Sequence, residues 1–262
     1  MKKYTMLLGA AAAALAMSGV AHAETAFTGN IGLTTDYKFR GISQTEGGYA
    51  VQGGFDASNG MFYAGVWASN VDFEEAALAN IGLSASTELD VYAGIKPKAG
   101  PVTFDLGVIG YFYPGAAESQ IGVGELDYFE GYAKASTTIA EKLSIGGGVN
   151  YSPEYTGETG NAYYVELNAA YPLTEMVSVS GAVGYQSVDD PSGVFTSVTG
   201  KKVSSDDYTT WNVGATATLK GFAFDLRYVD TNIDKSSLFV RDAFTTQGRA
   251  DGSVIFSVKR AL

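Results

Sequence analysis

Residues 27–40 read FTGNIGLTTDYKFR, and apolar and polar side chains alternate along this stretch. Odd positions include Phe27, Ile31 and Leu33, whereas even positions carry polar groups such as that of Asp36. Successive side chains of a β-strand point to opposite faces of the sheet. The pattern therefore predicts a strand with one apolar face and one hydrophilic face.

The same period of two recurs along the rest of the chain. Short turns rich in Gly, Pro and Asn alternate with longer polar connections, as in up-and-down antiparallel sheets. This organisation predicts an all-β protein, a transmembrane up-and-down β-barrel of about 12 strands and of outer-membrane type. The eleven further strands are expected at 48–57, 61–71, 86–96, 102–113, 126–137, 143–152, 162–171, 177–186, 208–219, 222–231 and 252–262. The longer connections are expected at 41–47, 72–85, 114–125, 153–161, 187–207 and 232–251.

The alternation alone does not distinguish a barrel in lipid from a soluble β-sandwich, which would be released into the periplasm without detergent. The hydrophilic face favours the barrel because it carries opposed charges, as a water-filled interior does. Aromatic residues also gather toward strand ends on the apolar face, as in the belts at membrane interfaces. The predicted belt residues are Tyr37, Phe39, Tyr49, Tyr151, Tyr163, Tyr185, Trp211 and Tyr228 near the long loops, and Phe27, Tyr63, Tyr171 and Phe222 near the turns.

The first 23 residues have the pattern of a secretory signal peptide. Lys2 and Lys3 form a basic region, an apolar stretch follows, and Ala21-His22-Ala23 is a cleavage motif. We expect cleavage near Ala23, so that residues 24–262 form a single barrel domain exported through the periplasm to the outer membrane. Its expected partners there are outer-membrane lipid, lipopolysaccharide and small hydrophilic solutes.

The charge and the missing residue types exclude several functions. A formal net charge of −11 argues against nucleic acid, since neutralising phosphates requires a basic surface. The chain has no Cys, and its one His, His22, lies in the predicted signal peptide. Without imidazole or thiolate, the mature chain can build no Ser-His-Asp triad, no Cys nucleophile and no ordinary zinc site. We therefore expect no enzyme activity and no cofactor.

Pairs of acids in the predicted loops are the remaining candidates for a metal site. Carboxylate oxygens are the ligands that Ca²⁺ and Mg²⁺ prefer, but none of these pairs has the spacing of a known loop motif. We expect solvated acidic loops and no metal site. The pairs are Glu74-Glu75, Glu154 with Glu158, Asp189-Asp190, and Asp206-Asp207.

Three segments carry a family resemblance. Residues 35–45, TDYKFRGISQT, resemble the SDYxFRGxSQT signature of the TorF-type porin family, with Thr35 and Lys38 as small departures from it. Residues 65–73, GVWASNVDF, and residues 88–94, ELDVYAG, are similar to the next two motifs of that family. The resemblance implies an outer-membrane barrel with a pore role, and it supplies no substrate and no catalytic residues.

The charged residues on the predicted inward face are the candidates for a lumen or constriction site. One interpretation is a constriction that sorts solutes by sign and size. The other is that opposed charges pair across a narrow interior and hold the strand register. The candidates are Asp36, Lys38, Arg40, Glu88, Asp90, Asp105, Glu130, Glu166, Asp225 and Arg227.

Two of these candidates allow a more specific hypothesis. Lys38 and Arg40 would ascend one face toward the outer mouth and form a cationic lip for carboxylate- or phosphate-bearing solutes, because guanidinium binds such groups bidentately. Alternatively, an ion pair simply fixes the strand end there.

The sequence thus leaves two functions open. The first is an outer-membrane porin for passive diffusion of small hydrophilic solutes, with selectivity set by the charged lumen. The second is a closed barrel that acts as a surface-binding or structural protein through its acidic extracellular loops. The sequence fixes neither the oligomeric state nor the permeant solute.

Overall fold

The structure is a computed structural model, and it describes residues 24–73, 84–116, 126–189, 207–233 and 250–262. The predicted signal peptide, most of four predicted long connections, and the acids Glu74, Glu75, Asp190 and Asp206 lie outside these ranges. Across the described ranges, no helix is long and apolar enough to cross a membrane.

The described chain is almost entirely β-structure. It contains one short 3₁₀ turn at Thr156–Glu158, and otherwise strands. The strands are β1 (Ala26–Thr34), β2 (Lys38–Phe39), β3 (Ile42–Ser43), β4 (Ala50–Asn59), β5 (Phe62–Asn70), β6 (Thr87–Ile95), β7 (Lys98–Ala99), β8 (Val102–Phe112), β9 (Tyr128–Ile139), β10 (Leu143–Ser152), β11 (Ala162–Pro172), β12 (Val177–Val188), β13 (Tyr208–Leu219), β14 (Phe222–Thr231) and β15 (Ser253–Ala261).

Twelve long strands form a closed antiparallel barrel, which confirms the predicted fold class and strand number. The sheet order is β6-β5-β4-β1-β15-β14-β13-β12-β11-β10-β9-β8, and β8 pairs back with β6. The first and last strands meet in register, with Leu33 opposite Val258. Closure leaves no unpaired strand edge, as a sheet in lipid requires.

The outside of the barrel is apolar and exposed, the inverse of a water-soluble protein. Leu167 on β11 is 65% exposed and Val213 on β13 is 60% exposed. Aromatic side chains lie at both rims, with Tyr49 exposed at the long-loop end and Phe27 at the short-turn end. This arrangement excludes the soluble sandwich, whose apolar side chains would meet in a buried core.

Two parts of the predicted pattern are wrong. Strand β1 ends at Thr34 instead of continuing to residue 40, so Tyr37 and Phe39 lie inside the barrel and not in a belt facing lipid. On β5 the two faces are reversed: Tyr63 and Trp67 point inward, while Phe62 and Val66 are exposed outside. The even positions of β5 are also apolar, so alternation cannot identify its outer face.

Inward tyrosine rings lie over inward glycines of neighbouring strands. The ring of Tyr92 on β6 covers Gly65 on β5, where an added Cβ would come within 2.6 Å of the ring. Tyr132 covers Gly107 in the same way across β8 and β9. Because glycine has no side chain, each ring can lie against the wall and leave the interior open.

Candidate functional site

Residues 35–48 fold into the barrel as a tight hairpin, and we call this segment the inward hairpin. Strands β2 and β3 pair through Lys38 with Ser43 and Phe39 with Ile42, leaving a two-residue turn at Arg40 and Gly41. Both turn residues have positive φ, 47° and 86°, as a type I′ turn requires. The predicted external loop at 41–47 is therefore wrong, because the chain turns into the lumen.

Asp36 fixes the base of the inward hairpin. Its Oδ1 atom accepts a hydrogen bond from the hydroxyl of Ser43 at 2.6 Å and one from that of Thr45 at 3.2 Å. Its backbone carbonyl accepts a hydrogen bond from the Thr34 hydroxyl. Asp36 thus joins both ends of the hairpin and is a buried structural carboxylate at this point of the cavity wall.

Arg40, at the tip of the hairpin, contacts three strands of the wall. Its Nη2 atom donates to both carboxylate oxygens of Glu130 on β9, at 2.7 and 2.6 Å. Its Nη1 atom donates to Oε1 of Gln186 on β12 at 2.8 Å. The guanidinium also lies over the ring of Tyr164 on β11, 4.5 Å from its centroid. The predicted position at an outer cationic lip is wrong, because Arg40 is engaged inside the barrel.

Charge compensation explains how a buried guanidinium is tolerated there. Burial alone would lower the pKa of Arg40, but the Glu130 carboxylate outweighs this effect and the net shift is upward. Glu130 accepts further hydrogen bonds from Asn150 and from the Tyr111 hydroxyl. A buried ion pair is tolerated when other hydrogen bonds satisfy the remaining donors and acceptors of its two groups. The contacts of Arg40 and Glu130 meet this condition.

Two other residues of the inward hairpin, Tyr37 and Lys38, also form hydrogen bonds with other parts of the barrel. The hydroxyl of Tyr37 donates to Glu88 on β6 at 2.7 Å, and that of Tyr113 donates to the other oxygen of Glu88 at 2.9 Å. Lys38 donates to the carbonyl of Asp251 at 2.6 Å, and burial lowers its pKa although Asp36 and Asp251 act in the opposite direction. The hairpin is therefore fixed to strands all around the barrel.

Beside the inward hairpin lies a cavity of about 1040 Å³. It extends from the hairpin to Lys96 and Thr103, which lie beside the short turn between β6 and β8. Its lining includes eight of the ten predicted lumen residues: Asp36, Lys38, Arg40, Asp90, Asp105, Glu166, Asp225 and Arg227. Glu88 and Glu130 are buried in the wall next to it.

Most charges in the cavity have partners. Arg227 donates to both oxygens of Asp225 at 3.1 Å and to Asn212 and Ser180. At the short-turn end, Lys96 lies 3.7 Å from Asp105.

Glu166 accepts hydrogen bonds from Tyr164 and Asn168. Asp90 differs, since its Oδ1 atom is buried without a hydrogen-bond partner among the residues that the structure describes.

The sequence pattern does not predict the aromatic residues that line the cavity. Trp67, Tyr92 and Tyr111 all line the cavity. The alternation predicts the wrong face of β5 for Trp67. It leaves out Tyr92, which shares a face with Asp90 on β6, and Tyr111, which shares a face with Ile109 on β8. A usable signal is the position of Tyr92, two residues after Asp90 on a strand whose odd positions are apolar.

Comparison with solved structures places the fold among porins. A KdgM porin, described in complex with disordered oligogalacturonate, is 8% identical with a TM-score of 0.52, covering 91% of this chain and 98% of its own. The NanC porin is 11% identical with a TM-score of 0.51, covering 90% and 98%. An outer membrane channel from Pseudomonas putida F1 is 10% identical with a TM-score of 0.51, covering 94% and 99%.

Sequence comparison shows the family of the chain. No curated protein sequence matches the chain. Residues 18–262 match the family described as bacterial protein of unknown function, Gcw_chp. The chain therefore belongs to the Gcw_chp family.

Proposed function

We propose that this protein is an outer-membrane channel for the passive diffusion of small hydrophilic solutes. The observation that carries the proposal is a polar cavity of about 1040 Å³ enclosed by a closed barrel whose outer surface is apolar. The porin folds of the similar structures and the resemblance of residues 35–45 to the TorF-type porins support the same function. The apolar surface would contact outer-membrane lipid and, at one rim, lipopolysaccharide.

The charged lining would set the selectivity of this channel. The ten lumen candidates named above remain the proposed selectivity residues. Paired charges such as Asp225 with Arg227 would act mainly through their dipoles, whereas Asp90, which has no cationic partner among the described residues, would interact more directly with a passing cation. We infer that the lumen favours cations near the inward hairpin, and that the protein has no catalytic role.

A second candidate function is a closed barrel that acts through its loops. The inward hairpin favours it, because Tyr37 and Arg40 cross the lumen to reach β6, β9 and β12. In the channel hypothesis this hairpin narrows the lumen to a constriction. In the closed-barrel hypothesis it is a plug.

Planar-bilayer recording of the refolded protein tests the two hypotheses. A channel gives discrete current steps and a reversal potential under a salt gradient, and the sign of that potential reports the ion preference. Liposomes carrying the protein would also swell in small sugars. Silent bilayers and sealed liposomes, with folding verified by heat-dependent gel migration, would contradict the channel and support the closed barrel.

A further inference from the structure

We propose that Asp90 and the aromatic side chains around it form a binding site for an organic cation, specifically the ammonium group of a small solute. This inference rests on the proposed channel function, because it names the class of solute that would occupy the cavity. The site lies on β6 in the wall of the cavity, near the part of the inward hairpin that contains Tyr37.

The carboxylate of Asp90 is buried and incompletely satisfied. The residue is only 7% exposed, it lines the cavity, and its Oδ1 atom has no hydrogen-bond partner within the described ranges. A buried carboxylate normally has an ion pair or several donors. The missing partner points to a group supplied from the cavity.

Two further carboxylates near Asp90 make the site more negative and so favour a bound cation. Glu88 and Glu130 both interact electrostatically with Asp90. Arg40 neutralises Glu130, while Glu88 accepts side-chain hydrogen bonds, among the described residues, only from the neutral hydroxyls of Tyr37 and Tyr113. Three carboxylates therefore share one guanidinium in this region of the described structure.

The cations elsewhere in the lining are occupied. Lys96 lies near Asp105, and Arg227 binds Asp225. Lys134 lies over the ring of Tyr132, 4.9 Å from its centroid. None of these groups forms an ion pair with Asp90 within the described residues.

Aromatic rings form the rest of the site. In the strand register, Asp90 lies directly between Trp67 on β5 and Tyr111 on β8, and all three line the cavity. Side chains opposite each other on neighbouring strands are about 5 Å apart at Cβ. Tyr92 lines the same face two residues along β6, and the ring of Tyr37 on the inward hairpin lies 5.5 Å from that of Trp67.

This combination is selective for one ligand chemistry. Aromatic faces attract cations, and ammonium ligands are recognised by groups of such rings, most strongly when the cation is desolvated. A small metal ion would instead need several oxygen ligands. No group of three or more potential metal ligands occurs in the described residues, so the rings and the single free carboxylate favour an alkylated ammonium.

Trp67 provides a direct measurement. The chain has two tryptophans, and Trp211 lies on the outer face, so a Trp211→Phe variant reports on Trp67 alone. We would titrate this variant, refolded in detergent, with choline and with its uncharged carbon isostere dimethylbutanol. We expect choline to change the fluorescence saturably, and the isostere to bind about tenfold more weakly or not at all. Equal binding of the two compounds, or no binding of choline, would overturn the proposal.

Two further variants test whether the carboxylate of Asp90 binds the cation. Asp90→Asn keeps the shape of the side chain and is expected to weaken choline binding about tenfold. Asp207→Asn removes the same charge at the outer rim, where Asp207 accepts a hydrogen bond from Tyr185, and should leave binding unchanged. Equal choline affinity in Asp90→Asn would contradict the inference.

Binding and conduction are measured separately, so the two proposals can fail separately. Choline binding by a protein that gives no bilayer current would support the cation site and contradict the channel function. A bilayer current without choline binding would support the channel function and contradict the cation site.

Discussion

The Nη2 atom of Arg40 lies 2.6 Å from Oε2 of Glu130, with side-chain exposures of 6% and 1%. Arg40 is the turn residue of a hairpin that starts from β1, whereas Glu130 belongs to β9, five strands away from β1 in the closed order through β4, β5, β6 and β8. A single ion pair therefore joins the inward hairpin to a distant part of the wall.

Removal of Arg40 should destabilise the barrel strongly. In Arg40→Ala, the carboxylate of Glu130 stays buried without its cation, which typically costs about 3–5 kcal/mol. We expect the free energy of unfolding to fall by this amount, measured by urea titration of the protein refolded in lipid vesicles. In the double variant Arg40→Ala with Glu130→Gln, most of the loss should be recovered, because no charge is left unpaired.

The same variants test the role of the hairpin in conduction. Without the Arg40 contact the hairpin tip is released from β9 and β12, so we expect conductance to increase about twofold or more, and the ion preference to change. The double variant should conduct like Arg40→Ala, since both lack the anchor. Unchanged conductance and ion preference in Arg40→Ala would remove this residue from the constriction.

The inward hairpin also shows where sequence reasoning reaches its limit. Alternation predicts the twelve long strands because side-chain direction along a strand is fixed by backbone geometry. The same alternation continues through residues 35–40, so it cannot reveal that the chain leaves the wall after Thr34. The turn itself was encoded by Gly41 after Arg40, but tight-turn residues do not specify whether a hairpin points outward or inward.

The reversed face of β5 has a related cause. Inside a barrel, an aromatic ring is acceptable when it lies over a glycine and keeps its polar atom hydrogen-bonded. Tyr63 does this by covering Gly94 and donating to Asp105. Hydrophobicity alone therefore predicts that Tyr63 and Trp67 face lipid, whereas the pairing with neighbouring strands shows that they face the lumen.

A disulfide can test whether the hairpin moves during conduction. The backbone N–H of Asp72 donates to the carbonyl of Gln44 at 2.7 Å, so the two residues are direct neighbours. The chain has no cysteine, and Gln44→Cys with Asp72→Cys would place the only pair. Because the hairpin is bonded to the wall on several sides, we expect equal conductance in the oxidised and reduced protein.

The control for this experiment is each single cysteine variant under the same oxidant. Bond formation is verified by the gel mobility of the unfolded protein with and without reductant. A current that falls on oxidation and returns on reduction would indicate a moving gate instead of a fixed constriction.

The contact between Gly65 and Tyr92 predicts the effect of adding one methyl group. In Gly65→Ala the new Cβ would meet the ring of Tyr92, which must shift away from the wall and strain its 2.6 Å hydrogen bond to Asp56. We expect the free energy of unfolding to fall by about 1–3 kcal/mol, measured by urea titration. Gly131→Ala is the matched control, because its added Cβ meets no atom within 4 Å. Equal stability of the two variants would contradict close packing of the ring.

The last prediction concerns the two faces of a single strand. Leu167 and Asn168 are adjacent near the middle of β11, but Leu167 is exposed on the outside whereas Asn168 lines the cavity. An arginine facing the middle of a bilayer costs about 2–4 kcal/mol, while one facing a wet lumen is solvated. Leu167→Arg should therefore lower the free energy of unfolding in vesicles by this amount, and Asn168→Arg should change it by less than about 1 kcal/mol.

Repeating both unfolding measurements in detergent separates the effect of the lipid bilayer from the effect of the substitution itself. The charge on Leu167→Arg is more easily solvated at a micelle surface than in a bilayer, so its penalty should shrink there, whereas that of Asn168→Arg should stay the same. If the two variants were equally stable in vesicles, the outer face of β11 would not be in contact with lipid. The proposed membrane location of the barrel would then be wrong, because a channel needs the apolar face outside and the polar face around its lumen.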